Sequence, residues 1–332
     1  MNPYLSGALW GVVVITGAMV VAAWSTWFER KFAGAMQNRP GPTEVGPLGL
    51  LQPVADLLKL LQKADIVPRD ADRAMFNLAA PLGLIFVLAT LAVVPWAPGG
   101  HAARGEAGAP YVPADLDIGV LFGLSISSLM VVPVFMAGWA SNNKYALLGA
   151  MRGVAQAVSF EVPLLLAALV PIILADSFRL GDIIAAQADG RWFALWPPGP
   201  GALAFVLFFL CSLAEANRIP FDIPEAESEL VAGITTEYSG MKFGLLYLGE
   251  YMHTLVSSIL GAGLFFGGWD GPGPDGPHWF LLKSLLLFAS IFWIRWSLLR
   301  LRGDQLMNLA WKVGIPAGLA VVTVSALWVH YT

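Results

Sequence analysis

Residues 202–229 read ALAFVLFFLCSLAEANRIPFDIPEAESE, and both halves of this stretch bear on the fold. The first 13 residues carry no charge, and the uncharged run begins earlier, at Trp192. From Glu215 to Glu229 there are six charges: Glu215, Arg218, Asp222, Glu225, Glu227 and Glu229. The first half suits a bilayer interior. The second half is excluded from it, because one charge at the bilayer centre costs about 2.5–3.5 kcal/mol on insertion scales. Such an edge is either a solvated loop beside a membrane span or a route for protons.

The rest of the chain supports the membrane reading. Charged residues make up 13% of 332 positions, while hydrophobic residues make up 57%. Soluble domains carry about 25% charged residues. Several uncharged runs reach the roughly 20 residues that a spanning helix needs. The expected class is therefore an all-α, polytopic membrane protein forming one membrane domain over residues 1–332. Residues 1–28 have no basic start and no small-residue cleavage site, so they read as a retained span. The lone cysteine, Cys211, excludes a disulfide framework and a cysteine-held iron–sulfur cluster. Four histidines are scattered without paired metal-ligand spacing. A net charge of −4 argues against nucleic acid as a partner.

Eight spans are expected, at about 6–28, 75–97, 118–141, 154–175, 202–219, 243–266, 280–299 and 312–330. Lys/Arg bias in short loops sets orientation. Fifteen of the 19 basic residues fall in 29–74, 142–153, 218–242 and 300–312, with Arg295 beside the last. The alternate loops hold Arg104, Arg179, Arg191 and Lys283. Both termini are then expected on the non-cytoplasmic side. The segments 29–74 and 218–242 become cytoplasmic loops, the second of them acidic. No internal repeat is visible, unlike many secondary transporters.

The first of these loops has its own pattern. Pro and Gly in 39–49 predict a rigid turn. After it, Leu50, Leu51, Val54, Leu57, Leu58 and Leu61 recur at helical spacing, with Gln52, Asp56, Lys59 and Lys63 on the other side. This predicts a short amphipathic helix over 48–63, lying in the membrane interface or packed on the protein's own loops. Residues 64–73 form a charged connector, solvated or facing a partner.

Glu161 falls in the fourth span and Glu250 in the sixth. Glu215 and Arg218 lie three apart near the end of the fifth, on one face if the helix continues. Intramembrane acids mark functional sites or tie helices together as neutral hydrogen-bonded acids. Glu215 with Arg218 could equally be a structural ion pair. Burial raises a carboxylate's pKa and a nearby cation lowers it, so carboxylates in varied surroundings can pass protons near neutral pH. Glu225 and Glu229, four apart, share a face if that segment is helical, and mutual repulsion would then raise at least one pKa. No phosphate-binding loop, Walker motif or haem-ligand arrangement is present. The glycines at 261, 263 and 267 lie in an apolar span and read as helix packing.

Several runs together resemble one family. Glu29-Arg30-Lys31, Gln37-Asn38-Arg39, Val45-Gly46-Pro47 and 49–56 (GLLQPVAD) resemble the first cytoplasmic loop of the NADH dehydrogenase subunit 1 family, whose bacterial members are the H subunits of respiratory complex I, the NADH:quinone oxidoreductase. Residues 138–145 (GWASNNKY), 215–229, 237–251 and 294–306 resemble its later loops and span exits, in order over nearly the whole chain.

The resemblance implies a membrane-arm subunit at the junction with a peripheral redox arm. It implies that quinone is the substrate and that iron–sulfur clusters and FMN sit on partner subunits, with no redox centre in this chain. Antiporter-like membrane subunits and the lipid bilayer would be its other partners. It places Glu29, Arg30, Arg39 and Asp56 by the quinone chamber. It places Glu161, Glu215, Arg218, Asp222, Glu225, Glu227, Glu229 and Glu250 on a proton path. The location implied is a bacterial inner membrane.

Three departures stand out: Thr43-Glu44 where many relatives have Asn-Arg, Ser128 where some have glutamate, and Phe160 where tyrosine is frequent. The alternative readings are the related membrane subunit of a hydrogenase, formate hydrogenlyase or ferredoxin-dependent complex, and a stand-alone transporter.

Overall fold

The computed structural model describes residues 3–97, 112–188, 190–225 and 227–331. Among them every regular element is helical. In chain order these are α1 (Pro3–Met36), α2 (Gln52–Gln62), α3 (Arg73–Thr90), α4 (Gly119–Ser128), α5 (Val131–Ala140), α6 (Lys144–Ala175) and α7 (Leu180–Ala185). There follow α8 (Pro200–Glu215), α9 (Glu227–Leu230), α10 (Gly240–Phe265), α11 (Pro277–Ser297), α12 (Gly303–Asn308) and α13 (Ile315–Tyr331). Six helical stretches among the described residues are long and apolar enough to cross a membrane: Gly7–Met36, Arg73–Val93, Gly119–Ala140, Lys144–Ala175, Pro277–Ser297 and Gly303–Tyr331. α8 is a shorter apolar helix in the fifth expected span.

The sixth expected span is α10, which carries Lys242, Glu250 and His253 and so falls outside that apolar group. Its position explains its composition. Every residue from Tyr251 to Phe265 is buried, and α10 packs against α1, α2, α3, α6, α7, α8 and α11. A helix enclosed by protein can keep polar side chains that a lipid-facing helix cannot.

Three boundaries differ from the sequence pattern, each for a local reason. α1 runs on to Met36, so Glu29 and Arg30 are helical residues. It ends where Asn38 turns left-handed (φ 56°) and Arg39 N–H reaches Gly34 O at 2.8 Å, just before Pro40. The third span is broken into α4 and α5. Pro133 cannot donate to Leu129 O, and the turn closes with tighter bonds, Met130 N–H to Ser127 O at 2.9 Å and Val132 N–H to Leu129 O at 3.0 Å. α6 starts ten residues before the expected span, where the Asn143 side chain accepts from Tyr145 N–H at 2.9 Å.

The amphipathic helix α2 is present. Arg30 bonds Asp56 at 2.7 Å and Trp27 Nε1 donates to Leu48 O at 3.2 Å, fastening it to α1. Its leucines remain open: Leu57, Leu58 and Leu61 are 45–59% exposed. That apolar face is not covered by the chain's own described loops. The connector 64–73 is pinned, with Asp65 on Lys242 at 2.7 Å and Asp72 capping α3.

Two glycines let the acidic loop press onto α6. A Cβ on Gly233 (φ 53°) would meet Pro224 O at 1.8 Å, and one on Gly149 would meet it at 2.7 Å. Gly233→Ala should therefore lower stability in detergent by more than about 2 kcal/mol. Gly190→Ala, with φ 75° but nothing within 4 Å, should cost about 1–2 kcal/mol. Denaturant midpoints of the two variants check this, and equal losses would contradict it.

Candidate functional site

The buried charge begins at Glu29 on α1. Its carboxylate accepts from Tyr251 Oη on α10 and from Arg295 Nη1 on α11. Arg218 Nη1 stands 4.0 Å away, with its guanidinium over the Tyr251 ring at 4.2 Å. Glu29 and Arg218 are both buried, 4% and 2% exposed. A buried carboxylate needs this much opposite charge and hydrogen bonding to remain ionised. Among the described residues Nε and Nη2 of Arg218 have no hydrogen-bond partner, so the guanidinium keeps donors to spare there. Arg218 also faces Glu250.

Sequence spacing suggests a Glu215–Arg218 pair, and the structure separates them. α8 stops at Glu215, and Asn217 turns left-handed (φ 51°). Arg218 is thereby swung toward Glu29. Gln156 on α6 holds the turn by donating to Ala214 O (2.6 Å) and Phe221 O (2.7 Å). Glu215 instead accepts from Ser127 Oγ at 3.0 Å, and His253 Nε2 lies 3.1 Å from the same hydroxyl.

Glu225 and Glu229 likewise do not share a face. The helix there is only Glu227–Leu230, and Glu225 sits in the turn before it. Glu225 points inward and hydrogen-bonds the Glu250 carboxyl. Two carboxyl groups in that contact require a proton between them. The Glu250 charge, and then burial, push Glu225 well above the usual carboxylate range. Glu229 points outward to Arg152 at 2.7 Å and Arg300 at 3.7 Å, and the Arg152 hydrogen bond, ahead of Arg300, lowers its pKa. The Glu227 side chain lies outside the described residues. Asp222 is pushed up to about 6, by burial first and then by Glu225, against the pull of Arg300, Arg295 and Arg218.

Glu161 reaches the same region from α6. With Glu215, Glu250, His253, Ser127 and Asn217 it lines a cavity bounded by α3 to α6, the end of α8, and α10. The room for water centres is about 70 Å³, several times the roughly 10–15 Å³ one water needs. Arg39 is outside this group. It is exposed in the turn after α1 and donates to Gln37 at 2.7 Å. Asp56 and Arg30 form a half-exposed pair at the base of α2. Among the described residues no three His, Cys, Asp or Glu side chains converge as metal ligands.

Tyr251, Arg295, Ser127 and His253 join the cluster without having been singled out in the sequence. One available signal was the spacing of Glu250 and His253, three apart on one helix and so on one face.

A family model described as NADH dehydrogenase matches residues 9–326. This chain belongs to the NADH dehydrogenase family. Three bacterial relatives carry the name of the H subunit of NADH-quinone oxidoreductase. The one from Geobacter metallireducens is 46% identical over 311 residues, covering 94% of this chain and 92% of that protein. The one from Cereibacter sphaeroides is 44% identical over 322 residues, 97% of this chain and 96% of its own. The one from Dehalococcoides mccartyi is 44% identical over 318 residues, 96% and 84% of the two chains. Two departures of this chain from the family pattern have a structural setting. Ser128 turns back to Leu124 O at 3.0 Å, and Phe160 is buried with its ring 5.5 Å from that of Phe221.

The Asp222 shift gives a pH prediction. Its folded pKa, about 6, exceeds the ordinary value of about 3.9. The folded chain therefore holds this proton more tightly, and the stability it contributes is full below pH about 4 and lost as pH rises through about 6. Asp222→Asn should thus be more stable than the parent at pH 8, by about 1–2 kcal/mol, with no gain at pH 4. Unfolding midpoints against pH check the sign.

Proposed function

We propose that the chain is the H subunit of a proton-translocating NADH:quinone oxidoreductase, lining the quinone chamber and linking quinone reduction to proton movement. Family membership over nearly the whole length supports the subunit assignment. The observation that carries the coupling role is the set of enclosed charged side chains that leads from α1 to the cavity. It runs from Glu29 through Arg218 to the Glu250–Glu225 carboxyl pair, and on to Glu161 and Glu215.

In this reading Glu29, Arg30, Arg39 and Asp56 face the chamber, and α2 frames its lipid-side entrance. Electrons arrive from iron–sulfur clusters and FMN on peripheral subunits. Reduction of the quinone takes up protons and changes the charge near Glu29. Arg218, with its spare donors, then shifts its balance between Glu29 and Glu250. A stronger pull on Glu250 favours its ionised form, and the proton shared with Glu225 moves toward the cavity. Asp222, with its pKa close to neutrality, exchanges protons at the loop side. Glu227 and Glu229 belong to the same acidic loop, where Glu229 holds Arg152 and Arg300. Antiporter-like membrane subunits would receive the proton signal beyond the cavity. The relatives are bacterial, which supports a bacterial inner membrane as the site of action.

Glu250→Gln keeps size but cannot cycle as an acid. It should leave the complex assembled while lowering quinone-linked NADH oxidation and proton translocation together, by at least tenfold. Wild-type turnover and pumping in the assembled variant would remove Glu250 from the route. The basic bias of the loops supports both termini on the non-cytoplasmic side. The Tyr331→Cys variant should react with an impermeant thiol reagent from outside intact spheroplasts. Labelling only in inverted vesicles would reverse the topology.

A further inference from the structure

His253 is a buried titratable group that this proton route leaves unused. It stands on α10, three residues beyond Glu250, and lines the same cavity. Its ring is engaged on one side. Ser127 Oγ donates to Glu215 Oε1 at 3.0 Å and lies 3.1 Å from His253 Nε2. Nε2 is itself 3.8 Å from that carboxylate oxygen. Ser127 has one hydroxyl proton. With that proton directed to Glu215, Oγ acts as acceptor toward Nε2, and Nε2 carries a proton. Nδ1 is buried with no hydrogen-bond partner among the described residues, so the ring can change protonation there without breaking one of their hydrogen bonds.

We propose that His253 is the proton partner of Glu215, the two sharing one proton across Ser127. The inference rests on the proton-path reading of this cavity. The step balances without any redox change. It starts with His253 as imidazolium and Glu215 as carboxylate. The Nε2–H bond breaks and its proton joins Ser127 Oγ, while the Oγ–H bond breaks and that proton joins Glu215 Oε1. The products are a neutral ring protonated at Nδ1, an intact serine and a carboxylic acid.

Ser127 lies in the last turn of α4, beside the break that precedes α5. The charged groups around the ring are few. Glu215 faces it from α8, and Glu161 from α6 and Glu250 from α10 line the cavity with it. The cavity walls from α3, α4 and α5 supply no titratable side chain, and Arg218 is the cation beside Glu250.

His253→Asn and His253→Gln keep a hydrogen-bonding side chain that cannot become a cation. In the assembled complex in membrane vesicles, both should show a tenfold or greater fall in quinone-linked turnover per complex. Their turnover profiles from pH 5.5 to 9 should also lack one ionisation that the wild type shows. Ser127→Ala should lower turnover severalfold by removing the bridge. A profile of wild-type shape in the histidine variants, whatever their rate, would make His253 a packing residue and overturn the proposal. So would failed assembly of both, or full turnover in Ser127→Ala. The underlying reading is tested separately. If membranes lacking this chain still reduce quinone with NADH at the wild-type rate, that reading fails, independently of His253.

Discussion

A carboxylate enclosed in an apolar bundle must be met by opposite charge, and the placement of Glu29 obeys this constraint. Removing such an ion from water costs several kcal/mol, which only close, well-directed partners can offset. The partners of Glu29 come from far along the chain: Tyr251 on α10, Arg295 on α11 and Arg218 from the loop after α8. Satisfying that one group thus draws α1, α10, α11 and the acidic loop into register. Truncating either arginine would leave charge uncompensated in the interior, so the electrostatics also act as a packing restraint.

Because those partners converge on α10, that helix becomes the hub of the domain. Its enclosure by seven other helices removes the demand for a lipid-compatible surface, and polar side chains become tolerable along it. The same enclosure places Glu250 and His253 next to two different acids, Glu225 on one side and Glu215 on the other. Proline and glycine shape the surroundings. Pro133 breaks the third span beside Ser127, and Gly149 with Gly233 lets the loop bearing Glu225 lie against α6.

The chemistry depends on asymmetry within this charged interior. Arg218 is held by Tyr251 and Glu29, yet among the described residues its Nε and Nη2 have no hydrogen-bond partner. A guanidinium with spare donors between acids responds to small changes in charge on either side. In Glu225 and Glu250 it borders a carboxyl pair that cannot be fully ionised. The cavity next to them has room for several waters and is lined by acids from three helices and their ends. Charge, a carboxyl pair and water-sized space therefore lie together, which is the arrangement the proposed proton route calls for.

The sequence alone determined the class of fold and the roster of acids. Uncharged runs of spanning length, leucines at helical spacing in α2 and the edge at Glu215 all follow from local composition and period, which need no knowledge of long-range contacts. Glu161, Glu215 and Glu250 stood out because charge is rare in such runs. The tertiary structure decided which groups meet. The i, i+3 spacing of Glu215 and Arg218 implied a pair only if the helix continued, and the left-handed turn at Asn217 ended it. Glu225 and Glu229 were parted because the helix between them is a single turn. Ser127, Tyr251, His253 and Arg295 entered the site through contacts that span up to 266 positions in the chain. Such partnerships are set by helix packing and by the need to neutralise buried charge, and no local pattern encodes them.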